Sequence, residues 1–145
     1  MKSALVVLAF LFFGCKTNQY KNKLKTGLWV YNYTIDSTDY YKAKEKYRNN
    51  IPVKTWRKYK NKKIEKKERY VGNVCNITNY FENGKIESKG KVKLIDNAAE
   101  THWFYFGKWL YYNKTGELIR VANYENGKMI SEKILIMELD IQTKN

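Results

Sequence analysis

The sequence is short of the residues from which catalytic and metal sites are usually built. Its 145 residues include one histidine, His102, and two cysteines, Cys15 and Cys75. No Ser/His/Asp, Cys/His or metal-ligand grouping can be assembled around His102. We therefore expect no cofactor, no metal and no enzymatic activity. Two cysteines are also too few for the disulfide framework of a small secreted domain.

Long hydrophobic runs are lacking as well. The longest, Ala4 to Phe13, has ten residues, whereas a helix needs about 20 to cross a bilayer. A run of this length suits a secretory signal, and its end, Leu11-Phe12-Phe13-Gly14-Cys15, resembles the bacterial lipobox. The resemblance implies a lipoprotein signal peptide at residues 1–14 and a lipidated Cys15. An ordinary signal peptide and an uncleaved anchor remain as alternatives.

The residues after Cys15 are polar and basic, without periodicity, and predict a tether over residues 15–25 before a domain over residues 26–145. No acidic residue follows Cys15 in Lys16-Thr17-Asn18-Gln19. Acidic residues at that place signal export to the outer surface in some bacterial groups. We therefore expect a cell-envelope protein that is lipid-anchored in the outer membrane and faces the periplasm.

Acidic residues are scarce, with 14 against 28 basic ones and a formal net charge of +14. On a membrane-tethered chain this charge favours anionic head groups or another anionic envelope component. Export disfavours nucleic acid as the partner, and solvation of an aromatic-rich sheet is the simpler alternative. The densest basic stretch spans a turn, so its charges are predicted to gather into one anion-binding patch. Its members are Arg57, Lys58, Lys60, Lys62, Lys63, Lys66, Lys67 and Arg69.

Turn signals recur along the chain and predict β-hairpins. The clearest stretch, Gly107 to Lys128, reads GKWLYYNKTGELIRVANYENGK and holds two of them. Successive turns are 11 to 13 residues apart, except for one interval of 19 residues. The turn pairs are Ser37-Thr38, Asn49-Asn50, Asn61-Lys62, Gly72-Asn73, Asn83-Gly84, Asp96-Asn97, Thr115-Gly116 and Asn126-Gly127.

Side chains keep a fixed distance from these turns. Ile64, Ile86 and Leu118 each follow the first residue of a turn by three positions, and Tyr47, Tyr70 and Tyr124 each precede one by two. Two turns make a unit of about 22 to 24 residues. The pattern predicts an all-β fold, an elongated and twisted antiparallel sheet of successive hairpins.

The alternation within strands and the spacing of the turns make three more specific predictions. Leu118, Arg120, Ala122 and Tyr124 should share one face of their strand. The aromatic stretch from Ala98 to Gly107, which contains His102, is predicted to be an insertion. Met129 to Ile141 is predicted to be a long final strand that caps the end of the stack, with a helix as the alternative.

The phrase G-x-W-x-Y-Y, a turn glycine, an apolar position and N-Y-x-N-G-K resembles MORN-type repeats. The resemblance is to the variant found in bacterial lipoproteins and in proteins labelled YwqK-like antitoxins. It is close over Gly107 to Lys128 and looser in the three upstream units, where Thr78 replaces the tryptophan and Lys62 the turn glycine. It implies a sheet used for attachment and recognition, with no catalytic residues of its own.

These observations leave three hypotheses for function. The first is a non-enzymatic, lipid-anchored envelope protein whose sheet binds a protein or a membrane surface. The second is an antitoxin- or immunity-like binder of a co-encoded protein, and the third is an envelope glycan hydrolase that would use Glu87 and Glu117. An exposed aromatic face would supply the protein-binding surface. Its predicted residues are Trp56, Trp103, Trp109, Tyr111 and Tyr112.

Overall fold

A computed structural model describes residues 16–35, 38–96 and 101–135. These residues form one open antiparallel sheet of 11 strands, and nearly every strand pairs with its neighbours in sequence. β4 pairs only with β3, and the remaining strands follow the order β1-β2-β3-β5-β6-β7-β8-β9-β10-β11. The strands are β1 Gln19–Lys21, β2 Leu24–Thr34, β3 Tyr40–Arg48, β4 Ile51–Pro52, β5 Lys54–Lys60, β6 Lys63–Val71, β7 Val74–Tyr80, β8 Ile86–Asp96, β9 Thr101–Tyr112, β10 Leu118–Glu125 and β11 Lys128–Ile134. The predicted fold class is confirmed.

Six of the predicted turns lie between consecutive strands. At Asn49-Asn50 and Asn126-Gly127 both residues have positive φ, between 49° and 82°, as a type I′ turn requires. The Ser37 and Asn97 turns fall partly outside the described residues. One turn was not predicted, at Asn22-Lys23 with φ of 50° and 62°.

A residue with positive φ recurs at a fixed distance from the tryptophans. Gly27, Lys54 and Gly107 have φ of 73°, 61° and 64°, and each precedes a tryptophan by two residues. Each also lies opposite a tyrosine on the next strand, in the pairs Gly27 with Tyr47, Lys54 with Tyr70 and Gly107 with Tyr124. The tryptophan and tyrosine positions predicted from the sequence therefore lie on neighbouring strands, beside the same positive-φ residue.

The two faces of the sheet differ in character. One, which we call the aromatic face, carries rings in contact from β1 to β9: Tyr20, Trp29, Tyr47, Trp56, Tyr70 and Trp103, with successive centroids 4.8 to 6.3 Å apart. The buried cluster lies on the same face and comprises Cys75, Ile77, Val92 and Trp109. Aromatic rings bring enough apolar area to give a single-layer sheet a core on one side.

Trp109 owes its burial to Gly90. The indole lies over the Gly90 backbone so closely that a Cβ there would be 2.2 Å from Trp109 Cδ2. Trp109 is 2% exposed, and its Nε1–H donates to the Lys91 carbonyl at 3.0 Å. A glycine inside a strand thus marks a close ring contact across the pleat.

Three local predictions require correction. The aromatic stretch from Ala98 is not a separate insertion, because residues from Thr101 onward belong to β9 and pair with β8 in register. The sheet starts at Gln19, inside the predicted tether, because β1 pairs with β2. Leu118 does not share a face with Arg120, since a bulge at Ile119 shifts the register.

The two ends of the chain extend beyond the described residues. The final strand is confirmed as β11 over Lys128–Ile134, where it pairs with β10 as the last strand of the sheet. Its predicted continuation to Ile141, the signal peptide and Cys15 lie outside the described residues. No helix in the described segments is long and apolar enough to span a membrane.

Candidate interaction surfaces

The second side of the sheet, which we call the basic face, is lined with cations. Its cations at paired positions include Lys42, Lys44, Lys46, Arg57, Lys67, Arg69, Lys89, Lys91, Lys93 and Lys108. They share a face because directly opposed residues, and residues two apart on one strand, point the same way. Between β2 and β9 no acidic residue occupies a paired position on this face.

The cations form rows across the strands. Lys44 lies opposite Arg57, and Arg57 lies opposite Lys67. The row continues through Thr78 to Lys89, with neighbouring strands about 4.8 Å apart. Like charges directly opposite one another destabilise a sheet, so the row carries an electrostatic cost that an anion would relieve.

Some cations on the aromatic face have carboxylate partners within the protein. Lys66 pairs with Glu68 at 2.7 Å, and Arg120 pairs with Glu132 at 2.7 Å. By contrast, in the described part of the chain the side chains of Lys44, Arg57 and Lys67 form no ion pair and no hydrogen bond. The row of Lys44, Arg57 and Lys67 on the basic face therefore carries uncompensated positive charge.

The predicted basic patch is divided by the pleat of the strands. Arg57, Lys67 and Arg69 lie on the basic face, whereas Lys58, Lys60 and Lys66 lie on the aromatic face. Lys62 and Lys63 are at the hairpin turn and its first strand residue. Adjacent charges in sequence thus point to opposite sides. The sequence does contain a signal for the basic face, in the spacing K-x-K-x-K at residues 42–46 and 89–93.

Two shallow depressions lie along the basic face. One of about 430 Å³ is lined by Thr55, Arg57, Lys67 and Arg69, among others. The second, of about 310 Å³, is lined by Asn76, Thr78, Lys89, Lys91 and Lys108, among others. Guanidinium and ammonium groups beside amide and hydroxyl donors provide a chemistry suited to phosphate or carboxylate oxygens.

The predicted aromatic binding surface does not form as one surface. Trp109 is buried, and Tyr112 lies on the basic face, opposite Leu118 and with Lys89 Nζ 5.4 Å from its ring centroid. Trp56 is held by the donation of its Nε1–H to the Lys46 carbonyl at 2.9 Å. Trp103 packs against Tyr70, and Tyr111 Oη lies 3.1 Å from Tyr124 Oη. These rings mainly support the core.

Glu117, one of the two carboxylates considered for hydrolysis, stabilises a loop. It accepts hydrogen bonds from Asn113 Nδ2 at 2.8 Å and Thr115 Oγ1 at 2.9 Å. The Asn113 bond, followed by that from Thr115, lowers the pKa of Glu117 from its ordinary value. Glu87 is exposed at the β8 bulge. His102 is exposed, with its ring 4.8 Å from that of Phe104.

Cys75 is a free, buried thiol, 1% exposed. Burial raises the pKa of Cys75 to about 11. A group whose pKa rises on folding contributes stability below its unfolded pKa and loses it as pH increases. For Cys75 that loss begins near the ordinary thiol value of 9.0 and continues to about 11.

We expect Cys75 to resist alkylation by iodoacetamide at pH 8 in the folded protein and to react promptly in urea, because only the exposed thiolate is nucleophilic. Mass spectrometry of the alkylated chain measures this. The free energy of unfolding should also fall less steeply between pH 9 and pH 11 in Cys75→Ala than in the parent. Rapid alkylation of folded protein at pH 8 would show that the thiol is accessible.

The described residues bring no three His, Cys, Asp or Glu side chains together as potential metal ligands. No family model, curated protein or solved structure matches the chain. Function must therefore be inferred from the surfaces themselves.

Proposed function

We propose that this chain is a non-enzymatic, lipid-anchored envelope protein whose sheet is an interaction module for an anionic surface. One observation carries the proposal, the row of Lys44, Arg57 and Lys67 directly opposite one another, with no carboxylate at the positions paired with them in the described strands. Each cation near an anionic membrane surface contributes about 1 kcal/mol. An anionic head group or envelope polymer would both use this charge and remove its repulsion.

The difference between the two faces of the sheet supports a role in binding. The aromatic rings provide the core on one side, so the other side needs no apolar cover and can present charge. Because the described residues form a single-layer sheet, they leave the basic face open across β3, β5, β6, β7 and β8. This arrangement offers a broad surface instead of an enclosed substrate pocket.

The proposal also includes the type of repeat and the lipid anchor. The positive-φ residue, tryptophan and tyrosine shared by three units and the turn spacing support assignment to MORN-type repeats, and the lipobox-like end supports a lipid anchor at Cys15. An anchor would hold the sheet at the membrane, where even weak electrostatic contacts act at high effective concentration. We place the protein at the outer membrane, facing the periplasm.

The anchor is tested by mass spectrometry of the mature protein expressed in a bacterial host. We expect a chain beginning at Cys15 with added acyl mass, recovered with membranes, because acyl chains partition into the bilayer. Cys15→Ser should abolish the acyl mass and leave the precursor unprocessed. An unacylated chain beginning elsewhere, or a full-length chain in the cytosol, would contradict the proposal.

A further inference from the structure

Three rings on the aromatic face surround one ammonium group. Lys25 Nζ lies 4.9 Å from the ring centroid of Trp29, 5.6 Å from that of Tyr31 and 5.1 Å from that of Tyr47. All three distances are within the range of cation–π attraction. We call Trp29, Tyr31 and Tyr47 the aromatic cage. Each of the other cations found over rings in the described segments, Lys60, Lys89 and Arg120, contacts a single ring.

The walls of the cage are fixed by the sheet. Trp29 and Tyr31 are two residues apart on β2, with rings inclined by 28°, while the Tyr47 ring stands at 82° to Trp29. Trp29 is 7% exposed. Tyr47 Oη donates to Glu45 Oε2 at 2.6 Å, and Glu45 lies directly opposite Trp29. The cage therefore has rigid rings and an adjacent carboxylate, both of which favour a cation.

The last repeat contains the same three-ring arrangement, but a different side chain packs against it. Trp109 and Tyr111 are inclined by 30° and Trp109 and Tyr124 by 73°, with centroids 6.3 and 6.4 Å apart. Tyr105, four residues before Trp109 as Lys25 is four before Trp29, packs its ring 4.4 Å from Trp109 and 5.3 Å from Tyr124. The position four residues before the tryptophan thus holds a ring in the last unit and the flexible Lys25 in the first, where the Tyr20 ring also packs edge-on against Trp29 at 4.9 Å.

A ligand cation can replace the Lys25 ammonium group in the aromatic cage, because Lys25 is held there weakly. Its only side-chain hydrogen bond in the described structure is to Tyr31 Oη at 3.0 Å, and the residue is half-buried. A primary ammonium is strongly hydrated and gives up water bonds to enter the cage. A quaternary ammonium has no N–H to satisfy, so it gains the ring attraction at a smaller desolvation cost.

We propose that Trp29, Tyr31 and Tyr47 form a binding site for a quaternary ammonium group, which displaces the Lys25 side chain. The ligand class comprises choline-like compounds, either free in solution or as a lipid head group. The site lies on the opposite face from the cation rows and is independent of the function proposed for them. Lys25 keeps the site closed when no ligand is present.

Calorimetric titration of the full chain with choline tests the proposal. Lys25→Ala should bind choline about tenfold more tightly than the parent, since it lacks the internal competitor for the cation–π contacts. The neutral isostere 3,3-dimethylbutan-1-ol should bind neither protein measurably. Phosphatidylcholine vesicles form a second arm, and cage-dependent vesicle binding identifies a head group as the source, whereas binding of soluble choline alone identifies a free ligand.

Matched variants separate the cage from general effects. In the Lys25→Ala background, Tyr31→Leu should abolish choline binding, and Tyr47→Phe, which retains the ring, should preserve it. Lys89→Ala, which frees the single ring of Tyr112, should leave choline affinity at the parent value. Each variant is first checked for the parent's circular dichroism spectrum. Absence of choline binding to Lys25→Ala, equal binding of the neutral isostere, or a gain from Lys89→Ala equal to that from Lys25→Ala would overturn the proposal.

Discussion

Trp109→Ala is expected to destabilise the sheet by about 3 to 5 kcal/mol, the usual cost of truncating a buried aromatic residue to alanine. Trp109 is the largest fully buried side chain in the described structure, and its ring contacts the Gly90 backbone and the rest of the buried cluster. Domains are stable by only about 5 to 15 kcal/mol. Loss of this residue should therefore bring the protein close to unfolding, measured as the urea midpoint by far-ultraviolet circular dichroism.

Gly90→Ala probes the same contact from the other strand. Its Cβ would lie 2.2 to 2.4 Å from three ring atoms of Trp109, so the indole must move out of its site. We expect a loss similar to that in Trp109→Ala. Tyr33→Ala is the control, because Tyr33 is on the same face but 46% exposed, and it should cost less than about 1 kcal/mol. Equal losses in Tyr33→Ala and Trp109→Ala would show that the core is not centred on Trp109.

Reversing three charges of the basic face, in Lys44→Glu/Arg57→Glu/Lys67→Glu, should weaken binding to vesicles containing anionic phospholipid by at least about 100-fold. Loss of about 1 kcal/mol per cation gives this factor before repulsion by the new carboxylates is counted. Sedimentation with vesicles measures the affinity. Raising the salt concentration should weaken the parent in the same direction, because exposed charges are screened within about 8 Å at physiological ionic strength.

A variant with the same change in net charge controls for position. Lys62, Lys63 and Lys114 are exposed at the hairpin turn, at the start of β6 and in the β9–β10 loop. Reversal of these three charges should weaken binding far less, because they do not belong to the cation rows. If both triple variants lose affinity equally, net charge alone governs binding and the basic face is not a specific surface.

Local chemistry was sufficient to predict the hairpins. Asn126-Gly127 and Asn49-Asn50 can adopt the positive φ that a tight turn requires, and this property depends only on the residues themselves. The matched offsets of Tyr47, Tyr70 and Tyr124 predicted a repeated unit, which the structure shows as tyrosines opposite residues with positive φ. Such signals can be recognised in a single sequence because they arise within a few residues of a turn.

A bulge caused the prediction about the face of Leu118 to fail. An extra residue at Ile119 places Leu118 on the opposite side from Arg120, and a bulge has no reliable local signature unless a glycine marks it. The Asn22-Lys23 turn was missed because the preceding polar stretch has no periodicity. The proposed interaction surfaces were predicted only in part, since their members come from several strands.

The sequence by itself determined the class of fold, the hairpin order and the excess of positive charge, because turn propensity and composition are local properties. Only the tertiary structure decided where the charge points. Strand register aligned Lys44, Arg57 and Lys67 into a row and sent Lys58 and Lys66 to the other face. Cross-strand pairing likewise brought Tyr47 to Trp29 and Tyr31. In a single-layer sheet each residue has two possible sides, and pairing between strands determines which side it occupies.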